Sequence, residues 1–104
     1  MTVREWLHDR TPAPPSRLAA RIDAVLGERG EAEHHRLSPL CLETAQELLT
    51  ELAARPSAGR ESALDLLTVD ALVTYAFEAA AGVPESLEST ATAAMIRLAA
   101  TARA

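Results

Sequence analysis

Hydrophobic residues recur at helical spacing along most of this chain. The segment 14–26 has one apolar stripe at i, i+4, i+7 and i+8, formed by Leu18, Ile22, Val25 and Leu26. The segment 39–54 has a similar stripe, formed by Cys41, Ala45, Leu48, Leu49 and Leu52. No apolar and polar residues alternate as in a strand, and no Asn-Gly or Asp-Gly hairpin turn occurs. The pattern therefore predicts an all-α fold.

Capping residues, prolines and glycines divide this pattern into separate helices. Thr2 and Glu5 fit a capping box at the start of the first helix. Ser38 followed by Pro39 is typical of a helix start, and Gly27 of a helix end. The predicted helices cover about 3–9, 14–26, 39–54, 59–81 and 85–102. The polar segment 27–37 is expected to be a mobile loop.

The fourth predicted helix is the longest, and its apolar residues occupy two faces. One face contains Leu64, Leu67, Ala71 and Tyr75, and the other contains Leu66, Val69, Val73 and Phe77. A helix that is apolar nearly all round usually lies at the centre of a bundle. We therefore predict one domain over 1–104, a compact bundle of four to five helices around a long central helix at about 59–81. In the last helix, the residues expected to face the core are Leu87, Ala91, Ala94, Met95 and Leu98.

The charge and hydropathy of the chain exclude some classes of partner. The chain has 104 residues and a net charge of −5, and all ten basic residues are scattered arginines. Binding to nucleic acid depends on clustered basic residues, so nucleic acid is not expected as a partner. No apolar run approaches the 18 residues of a membrane span, and the charged N-terminus lacks a signal-peptide apolar region. We expect no membrane partner and a cytoplasmic location.

His34, His35 and Cys41 are the first candidate site. Imidazole and thiolate bind zinc, copper and nickel, and a helix N-terminus would lower the pKa of the Cys41 thiol. The spacing of the three residues matches no standard metal site. Cys41 also falls on the apolar face of its helix, where free cysteines are usually buried. The favoured interpretation is two solvated histidines and one buried cysteine, so no metal or cofactor is predicted.

Two aspartates within the fourth helix form the second candidate. Asp65 and Asp70 are five residues apart and point in different directions, so they cannot form one metal-binding pair. Asp70 projects among apolar neighbours, and a buried carboxylate there would need a partner or a functional role. A structural salt bridge or an exposed position is the favoured interpretation.

The aromatic residues Trp6, Tyr75 and Phe77 form the third candidate. Trp and Tyr are frequent anchors of protein interfaces, and they also fill small cores built from Ala and Leu. Core packing is the favoured role for Tyr75 and Phe77, which lie in the predicted central helix. Trp6 is the best candidate for an exposed anchor because it lies near the terminus.

The segment 70–78, with the sequence DALVTYAFE, resembles a helix of polyprenyl diphosphate synthases. The aspartate-rich motifs that bind magnesium and diphosphate in that family are missing, so no function is transferred. Phosphate-loop, nucleophile-elbow, HExxH and CxxC motifs are also missing.

We therefore predict a non-enzymatic small helical protein-interaction module that self-associates or binds another protein. The candidate interaction residues are Trp6, His34, His35, Asp70 and Tyr75. The alternative is a small-ligand or metal-binding bundle that uses the region of His34, His35 and Cys41, or a pocket beside Asp70 and Tyr75.

Overall fold

The computed structural model describes residues 1–55 and 59–103. Within them the chain forms the α-helices α1 (Val3–His8), α2 (Ser16–Leu26), α3 (Leu37–Ala54), α4 (Arg60–Ala81) and α5 (Pro84–Arg103). Two 3₁₀ turns, Gly27–Glu31 and His34–Arg36, connect α2 to α3. The described residues contain no β-strand, only an isolated bridge between Thr2 and Glu33. The predicted all-α bundle is confirmed.

Most of the predicted helix ends are observed. The Thr2 hydroxyl accepts a hydrogen bond from the Glu5 N–H at 3.1 Å, and the Thr2 N–H donates to the Glu5 carboxylate at 2.8 Å, which completes the capping box. Gly27 ends α2 at a φ of 54°, a conformation that glycine adopts without a Cβ clash. Ser38 is not an N-cap, because the second 3₁₀ turn runs directly into α3. Its hydroxyl instead donates to the Ala76 carbonyl of α4 at 2.7 Å.

The expectation of a mobile loop at 27–37 is wrong, because most of this segment forms the two 3₁₀ turns. The Val3 N–H donates to the Ala32 carbonyl at 2.8 Å, which ties the segment to α1. The Arg4 guanidinium donates to the Gly27 carbonyl at 2.9 Å and also pairs with Glu31. Gly30 is buried beneath Arg4, where a Cβ atom would lie 2.5 Å from the guanidinium. The polar residues of this segment therefore bind α1 rather than water alone.

The two long helices α3 and α4 pack against each other in the middle of the bundle. The residues that α3 buries are Leu37, Leu40, Cys41, Leu42, Thr44, Ala45 and Leu48. Those that α4 buries are Thr68, Val69, Leu72, Ala76 and Ala80. The buried residues of α4 thus form one stripe and not the two predicted faces, and Leu66 and Leu67 are 54% and 56% exposed. The neighbours of α4 leave the first turns of this helix partly uncovered.

The predicted inward face of α5 is largely wrong. Of the five residues expected there, only Ala94 is buried, together with Thr90 one turn earlier. Leu87, Met95 and Leu98 are exposed. Thr90 and Ala94 are small, so α5 can lie close to α3 and α4 with these residues inward. This orientation of α5 directs Met95 away from the core and leaves Leu87 and Leu98 at the edge of the core, 40% and 36% exposed.

Candidate functional site

A cavity of about 660 Å³ lies between the start of α3 and the turn that joins α4 to α5. His34 and His35 line it from the second 3₁₀ turn, and Trp6 from α1. Ser86 and Thr90 line it from α5. We call this cavity the α3–α5 groove. It brings together three of the five interaction residues that the sequence predicts.

The two histidines of the groove are exposed, and two hydrogen bonds join His34 to the backbone of Met1. The His34 Nδ1–H donates to the Met1 carbonyl at 3.1 Å, and the His34 backbone N–H donates to the same carbonyl at 2.9 Å. The bond from Nδ1 leaves Nε2 as the His34 ring atom available to a ligand. The His35 ring lies edge-on to the His34 ring, with 6.5 Å between their centroids.

Cys41 does not join these histidines in a metal site. Its side chain is 0% exposed, and burial raises the pKa of the thiol to about 12. The proposed lowering of this pKa by the helix N-terminus is therefore wrong, because loss of solvent around the thiolate dominates. Over residues 1–55 and 59–103, no three His, Cys, Asp or Glu side chains are grouped so that they could hold a metal ion.

Trp6 and Tyr75 contact each other and join α1 to α4. Their rings are edge-to-face with centroids 6.3 Å apart, and the Arg10 guanidinium lies 3.6 Å from the centroid of the Trp6 ring. Burial, and to a lesser extent Glu78, raises the pKa of Tyr75, while Arg10 acts in the opposite direction. Trp6 is thus a half-buried packing residue that also lines the α3–α5 groove.

The two aspartates of α4 have different environments. Asp65 forms an ion pair with Arg21 of α2 at 2.7 Å, and its side chain is 13% exposed. Asp70 is exposed and lines a separate cavity of about 290 Å³ together with Arg10 and Tyr75. Asp65 thus forms a structural salt bridge, whereas Asp70 is exposed and lies outside the α3–α5 groove.

Sequence reasoning missed Thr90, which is 7% exposed and lines the groove. The other two buried threonines, Thr44 and Thr68, each donate to the carbonyl four residues earlier, at 2.8 Å. The Thr90 hydroxyl makes no hydrogen bond within the described part of the chain, and it is reached by solvent, because no side-chain oxygen buried there lacks a partner. The carbonyl four residues before it, that of Ser86, accepts from the Ser89 hydroxyl at 3.0 Å. No sequence signal separates Thr90 from the other helical threonines.

The outward side of α5 carries a second feature that the sequence did not predict. Met95 and Ile96 are 73% and 65% exposed, and Leu87 and Leu98 are also exposed. At 100° per residue Leu87 and Leu98 lie beside the buried Ala94, at the edge of the core, so we call Met95 and Ile96 alone the α5 apolar surface. Apart from Met1, every large apolar side chain that is exposed in the described residues lies in α4, in α5 or in the turn between them.

Comparisons of this chain with protein-family models, with curated proteins and with solved structures found no match. Among the helices of residues 1–55 and 59–103, none combines the length and the apolar character needed to cross a membrane.

Proposed function

We propose that this protein is a non-enzymatic helical module that self-associates, and that two copies pair through the α5 apolar surface. The observation that carries the proposal is the orientation of α5. Its buried residues are the small Thr90 and Ala94, while Met95 and Ile96 are directed to solvent. Met95 and Ile96 therefore gain little burial within their own bundle.

Burial between two copies would remove this apolar surface from water. Burying exposed apolar side chains such as Met95 and Ile96 between two copies is favourable, because it removes apolar area from water. Methionine is well suited to such a surface, since its flexible thioether adapts to irregular contacts. A two-fold dimer uses the same patch on both copies, so one surface of this kind is enough.

The charge distribution along α5 favours an antiparallel pair. The helix has Glu85 and Glu88 near its start and Arg97 near its end. A two-fold pair of antiparallel helices would place the acidic start of one copy beside the end of the other that carries Arg97, although the Arg97 guanidinium also donates to Gln46 of α3. The helix dipoles would oppose each other in the same arrangement, which is favourable. Parallel pairing would bring like charges together.

Sedimentation equilibrium over a range of concentrations tests the proposal. The unmodified chain should show a concentration-dependent mass that approaches twice the monomer mass. The double substitution Met95→Glu and Ile96→Glu should leave a monomer, because it places carboxylates within the apolar contact. The control is Ala24→Glu, which adds a charge to an exposed position of α2 and should not alter the mass. A monomeric unmodified chain at every concentration would overturn the proposal.

The orientation of the pair has its own test. Replacing Glu85 and Glu88 by Arg would make both ends of α5 basic, so an antiparallel dimer should weaken. Added salt should restore part of the lost affinity by screening the repulsion. Unchanged dimerisation of this variant would contradict the antiparallel arrangement while leaving self-association itself intact.

A further inference from the structure

We propose that Met95 is an oxidation site, and that its conversion to methionine sulfoxide by a peroxide separates the two copies of the pair. This inference rests on the proposed self-association and names how that association is regulated. Met95 is exposed in the single copy, the Cys41 thiol is buried, and Met95 lies in the proposed contact between copies.

The side chain of Met95 is open to solvent in the single copy. Among the large apolar residues of the described chain it is the most exposed, at 73%. Ala91 and Ala99, which lie one turn before and one turn after it on α5, are too small to cover its long side chain. The susceptibility of sulfur to oxidation follows its exposure, so a peroxide in solution reaches the Met95 thioether.

Cys41 carries the other kind of sulfur that peroxides oxidise, and the fold buries it. The residue is 0% exposed, and burial raises the pKa of its thiol to about 12. Peroxides react with the thiolate, which is a very small fraction of such a thiol at neutral pH. Oxidation is therefore directed to the two methionines of the chain, and of these Met95 belongs to the α5 apolar surface.

The chemical step transfers one oxygen atom. The Met95 sulfur donates an electron pair to one oxygen of hydrogen peroxide, so that an S–O bond forms as the O–O bond breaks. The departing hydroxide takes the proton of the transferred oxygen and leaves as water. Sulfur is thus oxidised by two electrons and the peroxide is reduced by two.

The sulfoxide is polar, which opposes its burial between apolar side chains. Placing a polar group in an apolar contact without a hydrogen-bond partner is unfavourable. Pairing of the oxidised chain should therefore be about tenfold weaker or more.

Pairing should in turn protect Met95, because a second copy covers the sulfur that the peroxide must reach. Met1 provides an internal reference, since it is also exposed and lies outside α5. The rate of oxidation of Met95 relative to that of Met1 should fall as the protein concentration rises.

Sedimentation equilibrium of the full chain before and after treatment with hydrogen peroxide tests the inference. Peptide mass spectrometry should show one added oxygen atom at Met95, and the oxidised chain should need about tenfold higher concentration, or more, to pair. Methionine sulfoxide reductases specific for the two sulfoxide epimers should together restore pairing. Urea unfolding of the single copy should be unaltered by oxidation, because Met95 is exposed there.

Met95→Leu is the matched control, since leucine keeps an apolar side chain of similar volume and has no sulfur. This variant should pair like the unmodified chain, and peroxide should leave its pairing unchanged although Met1 is still oxidised. Undiminished pairing after complete oxidation of Met95, or equal loss of pairing in the oxidised leucine variant, would overturn the inference and leave self-association intact. A chain that is monomeric before oxidation would overturn the proposed function and this inference with it.

Discussion

The first three helices and α5 are attached to the bundle in different ways. Long polar side chains cross-link α1, α2, the 3₁₀ turns and α3, whereas α5 lies on the bundle through small residues. The ion pairs found among residues 1–55 and 59–103 all fall between Met1 and Asp65. For α5, the side-chain hydrogen bond to another helix is that from Arg97 to Gln46 of α3, at 3.0 Å.

Arg29 shows how the cross-linking works. From the first 3₁₀ turn its guanidinium donates to Glu47 of α3 at 2.5 Å, to Glu43 at 3.1 Å and to Thr44 at 3.1 Å. The hydrogen bond with Glu47 is the main cause of the raised pKa of Arg29. A segment held in this way has few unused contacts to offer a partner. The more weakly cross-linked α5 keeps Met95 and Ile96 exposed, and this difference supports the proposed pairing of two copies through α5.

The largest expected effect on the free energy of unfolding comes from truncating one large apolar side chain in each of the two regions to alanine. Leu37 of α3 is fully buried, and Leu37→Ala should lower the free energy of unfolding by about 3 kcal/mol through lost burial and a cavity. Met95→Ala should change it by less than about 0.5 kcal/mol in the monomer, because Met95 is exposed there. Urea unfolding at a concentration where the chain is monomeric measures both.

A similar loss for the two substitutions would show that α5 packs as tightly as α3. The proposed difference in attachment between α1–α3 and α5 would then be wrong.

The next effect concerns the cross-links. Arg29→Ala should lower the free energy of unfolding by about 1–2 kcal/mol. Loss of a fully buried charged network would lower it more, but the acceptor carboxylates here are partly exposed to water. Arg17→Ala, at an exposed position of α2, is the control and should stay within about 0.5 kcal/mol. The difference between the variants should narrow in high salt. Equal stabilities of the two variants would mean that the contacts of Arg29 do not hold this region together.

The smallest effect concerns the capping box of α1. Thr2→Ala should lower the free energy of unfolding by about 1 kcal/mol, the usual effect of removing an N-cap side chain. The Thr2 backbone N–H, and then its hydroxyl, lower the pKa of Glu5 in the folded protein. A carboxyl with a lowered folded pKa stabilises the fold above its unfolded pKa, and this stabilisation is lost as the pH falls through the folded pKa.

Unfolding measured across acidic pH checks the role of Glu5. The stability difference between the unmodified chain and Glu5→Gln should be present at neutral pH and should shrink as Glu5 becomes protonated. A difference that stays constant down to strongly acidic pH would contradict the capping role.

Sequence patterns predicted features that depend on near neighbours along the chain. The capping box, the apolar stripe of α2 and the five helices follow from spacings of three or four residues, and each is observed. The ordered 3₁₀ turns were missed, since Arg4 and Arg29 find acceptors 14 to 27 residues away. The side of α5 that faces the core was also predicted wrongly. Apolar periodicity alone does not tell whether small or large residues will pack against α3 and α4.

The candidate site was predicted in part. Adjacent histidines and a tryptophan near the terminus indicated His34, His35 and Trp6, and these three residues line one groove. Asp70 and Tyr75 line a different cavity. Thr90, which is 7% exposed and lines the same groove, could not be predicted because its burial depends on how α5 is rotated against α3 and α4.

Amide hydrogen exchange, resolved by residue and followed over a range of protein concentrations, tests the central claim most directly. At low concentration α5 should exchange by local opening, faster than α3, because few long side chains hold it to the bundle. With rising concentration, exchange in α5 should slow as second copies cover the α5 apolar surface, while exchange in α1–α3 changes little. Equal protection of α5 and α3 that does not depend on concentration would contradict the account.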